Sequence, residues 1–270
     1  MIRDITIGQY YPSNSIIHKL DPRVKIMATF LFIVSLFMFD SFIGYIVVTA
    51  FLATCIIISK VPFSYMVKGL KAIVMLLLLT VIINMFMTPG EPLVSFWKLT
   101  ITKEGFRAAV FMGLRLMYLI IGSSIMTLTT TPNNLTDALE KLLSPLKKVK
   151  APVHEIAMMM SISLSFIPIL IEETDKIMKA QMARGADFEN KNLIKRVKSY
   201  IPILVPLFIS AFRRAGDLAM AMEARCYRGG DGRTKMKPLK YEKRDFVAYA
   251  ICVLYIAVIV VLPRVVILAL

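Results

Sequence analysis

The sequence predicts an all-α integral membrane protein with about five transmembrane helices and a cytoplasmic region of further helices. Hydrophobic residues make up 57% of the chain and the mean hydropathy is +0.68, whereas soluble domains are about 45–50% apolar. The apolar residues are concentrated in runs that approach the length needed to cross a bilayer core of about 30 Å. The formal net charge is +15, so basic residues must crowd the connections between those runs.

The predicted spans follow these runs in chain order. A polar, turn-rich lead-in covers residues 1–25, and the loop after the second run carries Lys60, Lys68 and Lys71. By the positive-inside rule both stretches lie in the cytoplasm, together with the basic stretch from 129 to 245. We therefore expect the N-terminus inside and the C-terminus outside. The five runs are residues 24–39, 42–59, 70–87, 106–128 and 246–262.

These runs predict three parts of the chain. Residues 1–130 form a membrane domain with four spans, residues 131–245 form the cytoplasmic helices, and residues 246–270 form the last span. The loop between the third and fourth runs is charge-balanced and holds Trp97, the only tryptophan, which suits the membrane interface. Arg115 falls inside the fourth run, where it either snorkels to the surface or pairs within the bundle.

The cytoplasmic part is predicted to begin with a short amphipathic helix that opens near Thr136. Its leucines fall on one helical face ahead of Lys147 and Lys148, and they are Leu139, Leu142, Leu143 and Leu146. Two longer helical arms follow, each apolar in its first half and polar in its second. The first apolar half, residues 156–171, has 16 residues and falls below the ~17–25 residues of a span. We expect the apolar halves to lie under or slant into the membrane, and a seven-span arrangement is the alternative.

The two arms are near-copies of one pattern. An apolar hexamer, residues 165–170 in one arm and 199–204 in the other, precedes Ala-x-x-Ala-Arg and a small residue. Arg184 follows the proline of its hexamer by 16 residues and Arg225 by 23, a difference of about two helical turns. Each arginine is therefore expected on a similar face of its helix.

Ala-Arg followed by a small residue is typical of a helix C-terminus. The arginine complements the negative end of the helix dipole, and Gly185 suits a left-handed cap. Cys226 suits it less well, so we expect the second helix to end either there or at Gly229-Gly230. Two ordinary helix ends with solvated arginines are the alternative, which the duplicated context disfavours.

No nucleotide-binding or catalytic motif accompanies these helices. The glycine-rich stretch 229–235 lacks the GxxxxGK[ST] spacing of a phosphate-binding loop. His18 and His154 have no partner at a spacing typical of a metal site or a catalytic triad, and the three cysteines show no paired spacing. We therefore expect no catalytic residue, no cofactor and no metal. The span interiors also lack the carboxylates that mark an ion path.

Three stretches together resemble the transmembrane T component of energy-coupling factor (ECF) ABC-type transporters. They are the paired Ala183-Arg184-Gly185 and Ala224-Arg225-Cys226, the stretch 227–235, and Leu20-Asp21-Pro22-Arg23-Val24-Lys25 near the start. The resemblance covers essentially the whole chain. It implies a scaffold whose two long cytoplasmic helices cross and place the paired Ala-Arg motifs in grooves of two ABC-type ATPases. Cys226 departs from the Ala-Arg-Gly form, which bears on the cap geometry of the second helix.

The resemblance also implies a separate substrate-binding membrane subunit, the S component, held by the apolar helix faces. ATP binding would draw the ATPases together, swing the arms and tip that subunit, so that a vitamin or metal is released inside a bacterial or archaeal cell. The expected contact residues are Leu139, Leu142, Leu143, Met158, Phe166, Leu170, Leu204 and Phe208.

Two other classes of function compete with this coupling scaffold. One is a stand-alone permease with its own substrate site, and the other is a membrane-anchored nucleic-acid binder. The second lacks aromatic residues interleaved along its basic runs, so no nucleic-acid partner is expected.

Overall fold

A computed structural model describes residues 10–39, 41–96, 99–186, 188, 193–230, 236 and 238–268. Helices dominate these residues, as predicted, and the other regular element among them is a short antiparallel hairpin. In chain order the elements are α1 (Pro22–Leu36), α2 (Phe42–Ser59), α3 (Phe63–Met87), β1 (Pro92–Phe96), β2 (Leu99–Thr102), α4 (Lys103–Thr129), α5 (Pro132–Leu142), α6 (Val153–Ala183), α7 (Leu193–Ala224) and α8 (Lys243–Leu268).

The described residues fall into two compact units. Those within 139–238 form one unit, called here the arm unit, which contains α6 and α7. Those within 10–138 and 239–268 form the other, called here the bundle unit, which contains α1 to α4 and α8.

Four described helices are long and apolar enough to cross a membrane. Three of them, α2, α4 and the first part of α8, match predicted spans, so the prediction of a helical membrane protein is confirmed. The fourth is α6, which reaches 31 residues because the helix continues through Pro168 and joins the apolar run to the polar half behind it. The first predicted span is shorter than expected, since α1 has 15 residues and is about 22 Å long.

Aromatic stacking organises the core of the bundle unit. The ring of Phe51 on α2 lies 4.2 Å from that of Tyr255 on α8, and Phe32 on α1 stacks beside both. The hydroxyls of Ser35 and Tyr255 form a buried hydrogen bond of 3.0 Å, which satisfies two polar groups inside an apolar core. Leu36 packs in the same cluster with no exposed surface. These contacts join α1, α2 and α8.

The first turn of α1 and the residue before it connect two helix ends of the bundle unit. The buried Lys25 donates from Nζ to the carbonyl of Thr129, the last residue of α4, at 2.8 Å. The backbone N–H of Asp21 donates to Oδ1 of the buried Asp245 in the first turn of α8, at 2.8 Å. Arg23 forms an ion pair with Asp21 at 2.7 Å. The motif that begins at Leu20 thus fixes the last turn of α4 and the first turn of α8.

Two features of the bundle unit go beyond the sequence analysis. The connection between the third and fourth spans is a hairpin of β1 and β2 rather than an irregular loop, and Trp97 lies outside the described residues. Arg115 takes the second of its two predicted alternatives and pairs inside the bundle, since its Nη2 donates to the carbonyl of Phe39 at 3.2 Å. The carbonyl of Phe39 lies beyond the end of α1 and has no donor within that helix. The guanidinium of Arg115 supplies the missing donor.

Candidate docking sites

The first Ala-Arg motif ends α6 with a regular cap. The helix stops at Ala183, so Arg184 is the residue directly after it. The N–H groups of the next two residues donate to the carbonyls of Met182 and Gln181, at 2.9 and 3.0 Å. This pair of bonds is the Schellman motif, which satisfies the last carbonyls of a helix.

The second motif ends α7 in the same way. The helix stops at Ala224, and the two residues after Arg225 donate to the carbonyls of Glu223 and Met222, at 2.8 and 3.0 Å. Each arginine therefore occupies the same position relative to the end of its helix. The near-identity of the two arms extends from the sequence to the hydrogen bonds of their caps.

The third residue of each motif takes the left-handed conformation that this cap requires. Gly185 has φ of 87° and Cys226 has φ of 55°, although a residue with a Cβ loses about 1–2 kcal/mol in that region. The alternative in which the second helix continues to Gly229-Gly230 is therefore wrong. The capping bonds end the helix before Cys226 despite the unfavourable residue type.

Both arginine side chains lie at the surface of the arm unit. Arg184 and Arg225 are exposed, as are Ala183 and Ala224 before them. Within the described part of the chain, neither guanidinium makes a hydrogen bond or an ion pair. A planar fork of donors at a helix end suits bidentate binding of a carboxylate.

The two arms meet near the middle of both helices. Glu173 on α6 accepts a hydrogen bond from the hydroxyl of Ser210 at 2.5 Å, and from Arg214 Nη2 at 2.7 Å. Both partners lie on α7, and the Arg214 side chain is 40% exposed, so solvent weakens this ion pair. A contact in the middle of both helices leaves their ends free to diverge.

The two arginine-bearing ends are far apart within the arm unit. The segment after Arg225 returns to the beginning of α6, where a Cβ added to Gly230 would come within 2.2 Å of the ring of His154. Arg184 directly follows the end of α6 and lies 30 residues beyond His154, about 45 Å if the helix is straight. Arg225 lies five residues from Gly230, at most about 17 Å. The two arginines are therefore separated by roughly 20 Å or more.

An apolar stripe runs along α7. Its residues recur at intervals that place them on one face of the helix, and each side chain is 37–74% exposed. Ile203, on another face of the same helix, is only 3% exposed. The stripe consists of Val197, Tyr200, Ile201, Leu204, Val205, Phe208, Ile209 and Phe212. Two of the predicted contact residues, Leu204 and Phe208, belong to it.

The other predicted contact residues are divided between α5, its end and α6. Leu143 is exposed, whereas Leu139 and Leu142 are half-buried. On α6 the predicted contact residues Met158, Phe166 and Leu170 are also half-buried. The exposed apolar surface of the arm unit is therefore most continuous on α7.

The short helix α5 differs from its predicted form. It begins at Pro132 rather than near Thr136, because proline suits the first helical position and the Thr131 hydroxyl accepts from the Asn134 N–H at 3.4 Å. It ends at Leu142, and a 3₁₀ helix (Ser144–Val149) follows. The predicted leucine face thus extends over two elements.

One contact at the beginning of α6 was not predicted from the sequence. His154 Nδ1 lies 2.8 Å from Glu140 Oε1, and the two side chains are 18% and 12% exposed. The pair is separated by 14 residues that include a 3₁₀ turn. No helical or strand periodicity connects positions across such a turn, so the sequence contained no signal for it.

Comparison with known proteins shows the family to which the chain belongs. A family model described as "CbiQ: Cobalt transport protein" matches residues 13–236. A protein of Clostridium kluyveri named "Energy-coupling factor transporter transmembrane protein EcfT" is 58% identical over 267 residues, covering 98% of each chain. Proteins of the same name from Ruminiclostridium cellulolyticum and Bacillus subtilis are 52% and 48% identical, covering 98% and 91% of this chain and 99% and 93% of their own. The chain therefore belongs to the family described as CbiQ cobalt transport proteins, and over nearly its whole length it is similar to transmembrane proteins of energy-coupling factor transporters.

Proposed function

We propose that this chain is the transmembrane scaffold of an ECF-type uptake transporter for a vitamin or metal. It couples ATP binding and hydrolysis by two ABC-type ATPases to the reorientation of a separate substrate-binding membrane subunit. The observation that carries the proposal is the pair of matched helix caps, each of which presents an exposed arginine. The name shared by the similar proteins supports the same conclusion.

The two caps are suited to two partners rather than to one. Their separation of roughly 20 Å or more exceeds the reach of a single bidentate site. Because the capping bonds already satisfy the last carbonyls of each helix, each motif is a rigid end that can enter a groove without losing backbone hydrogen bonds. Each arginine would donate to carboxylate or carbonyl oxygens of one ATPase. The docking residues are Ala183, Arg184, Gly185, Ala224, Arg225 and Cys226.

The apolar stripe of α7 is the proposed contact for the substrate-binding subunit, together with the leucines of α5 and the half-buried residues of α6. An exposed apolar surface of this extent usually marks an interaction site. ATP-driven motion of the docked ATPases would change the positions of the two arms, and the arms would tip the subunit bound to their apolar faces.

In this proposal the chain itself is not an enzyme and holds no cofactor, since the ATPases carry out the hydrolysis. The excess of basic residues in the lead-in and in residues 131–245 supports a cytoplasmic position for both. The chain would lie in a bacterial or archaeal cell membrane as a multi-pass protein, with its N-terminus inside and its C-terminus outside.

Reconstitution tests the proposal directly. The chain should co-purify from solubilised membranes with two ATPase subunits and one small membrane subunit, identified by mass spectrometry. Liposomes that contain the complete assembly should accumulate one member of a panel of labelled vitamins and Co²⁺ when ATP is supplied. Liposomes that contain this chain alone should accumulate none, and uptake by the chain alone would favour a stand-alone permease instead.

A further inference from the structure

We propose that His154 is a positioning residue that connects the Arg225 docking end to the short helix α5, so that the two ATPases act unequally on the scaffold. The inference rests on the proposed function. It concerns contacts that ATPase docking and substrate-subunit binding do not themselves require. All of these contacts lie within the arm unit.

The first contact joins the first turn of α6 to the last turn of α5. His154 Nδ1 and Glu140 Oε1 are 2.8 Å apart, and both side chains are largely shielded from solvent. Because a carboxylate can only accept here, Nδ1 carries the hydrogen, and the bond fixes the orientation of the imidazole ring. Glu140 follows Leu139 directly in the chain, so the ring is attached to the segment proposed to contact the substrate-binding subunit.

The second contact joins the same ring to the segment after Arg225. A Cβ built on Gly230 would lie 2.2 Å from His154 Cδ2 and 2.6 Å from Cγ, far inside van der Waals contact. Only glycine therefore allows the backbone to approach the imidazole this closely. Gly230 is five residues beyond Arg225, which limits how far the docking end can move without moving the ring.

The Arg184 end is attached elsewhere. Beyond its cap, the ring of Phe188 lies 5.7 Å from that of Tyr200, near the beginning of α7. A Cβ added to Gly185 would meet nothing within 4 Å, so this glycine serves the cap conformation and not a close contact. Beyond Arg184, Phe188 thus contacts Tyr200 in the apolar stripe of α7, whereas beyond Arg225, Gly230 contacts His154 at the α5–α6 junction.

A mechanical consequence follows from these two attachments. Displacement of the ATPase at Arg225 would carry Gly230, the His154 ring and Glu140 together, and would shift the leucines at the end of α5. Displacement of the ATPase at Arg184 would act on the stripe of α7 instead. Contiguous packed and hydrogen-bonded groups of this kind can carry coupling between sites, and the coupling must be measured to be established.

Hydrogen exchange in the assembled complex measures the coupling between the Arg225 end and the end of α5. A non-hydrolysable ATP analogue is added to the complex of this chain with its ATPases, and amide exchange is followed in residues 139–143. In the wild type we expect the analogue to change these exchange rates by about fivefold or more. Gly230→Ala and His154→Ala should abolish the change while ATPase docking stays within about twofold of wild type.

Two further variants make the result specific. Gly216→Ala is the matched control, because a Cβ at this glycine of α7 meets nothing within 4 Å and the nucleotide response should persist. His154→Gln keeps a donor for Glu140 and should restore part of the response lost in His154→Ala. If Gly230→Ala does not assemble, His154→Ala carries the test, since it introduces no clash.

The outcomes separate this inference from the proposed function. If the wild-type chain binds no ATPase, the proposed function is wrong and the inference falls with it. If ATPases bind normally but residues 139–143 do not respond to nucleotide in the wild type, the inference alone is overturned. It is overturned equally if His154→Ala responds as strongly as the wild type.

Discussion

Cys226 holds the conformation that glycine holds at the matching position of the first arm. Its φ of 55° lies in the left-handed region, where a Cβ is crowded against the following carbonyl. The two capped helix ends therefore have the same backbone conformation but not the same stability, because the second end retains strain that the first end lacks.

This difference predicts opposite effects of two substitutions. Cys226→Gly should stabilise the protein by about 0.5–1 kcal/mol, since the relief of strain exceeds the greater chain entropy of glycine when unfolded. Gly185→Ala should destabilise it by a similar amount. Thermal unfolding in detergent should show apparent Tm shifts of about 1–3 °C in opposite directions. A lower Tm for Cys226→Gly would mean that the thiol makes a stabilising contact that outweighs the strain.

The residue types predicted that both arginines lie at helix ends, but they did not determine where the second helix ends. The alanines before each arginine and the arginine itself predicted the C-terminal end of a helix at both motifs, and both helices end there. The choice between Cys226 and Gly229-Gly230 depended on capping bonds to Glu223 and Met222. These backbone hydrogen bonds cannot be predicted from the conformational preference of cysteine, because cysteine rarely adopts the left-handed conformation.

Under the proposed function, binding of the substrate-binding subunit depends on the apolar stripe of α7. Eight of its side chains, spaced along one face, are at least 37% exposed. A helix with this apolar face exposed to water would be prone to aggregate. A partner or lipid must therefore cover it, and the proposed function assigns the substrate-binding subunit.

Charge placed in the stripe should release that subunit selectively. Leu204→Asp combined with Phe208→Asp should weaken its co-purification by at least about tenfold, because two carboxylates would be buried without partners. The ATPases should remain attached, since the caps are unchanged. Arg213→Asp, at an exposed position of α7 outside the stripe, is the control and should retain all subunits. Loss of the ATPases before the membrane subunit would reverse the assignment of the two surfaces.

Elements with long regular patterns were predicted more accurately than short ones. The two arms and the apolar runs at α2, α4 and α8 were predicted from patterns that extend over 16 or more residues. The β1–β2 hairpin was read as a loop because its strands have five and four residues, too few for a clear alternation. The partnership of Glu140 with His154 was missed because it crosses a turn.

The distribution of basic residues sets the expected orientation of the whole molecule. The connection that contains β1 and β2 is balanced in charge, whereas residues 131–245 carry most of the excess positive charge. The two arms must face the cytoplasm if they are to bind ATPases. The proposed function therefore requires the predicted orientation.

Cysteine labelling of intact cells tests this orientation. Because Cys226 is exposed, the work begins from a Cys226→Ser background. A cysteine at Glu91, beside the hairpin, should react with a membrane-impermeant maleimide in intact cells. A cysteine at Lys148, exposed on the 3₁₀ helix, should react only after permeabilisation. Reaction of the Lys148 position in intact cells would place the arm unit outside and exclude the coupling role.

The affinity of the assembled membrane complex for the ATPases, measured with and without the two arginine side chains, tests the proposed docking. Truncating a bidentate anchor costs on the order of 2–4 kcal/mol, whereas a solvated arginine contributes almost nothing. Arg184→Ala and Arg225→Ala should each weaken docking by roughly thirty- to several-hundred-fold, and lysine should rescue only in part because it lacks the planar fork.

The double variant Arg184→Ala/Arg225→Ala gives the decisive comparison. It should insert and fold as the wild type does, as judged by its apparent Tm and its binding of the substrate-binding subunit, and it should bind no ATPase at moderate salt. If it binds the ATPases with wild-type affinity, the two arginines are ordinary helix ends, and the paired caps are not the docking sites.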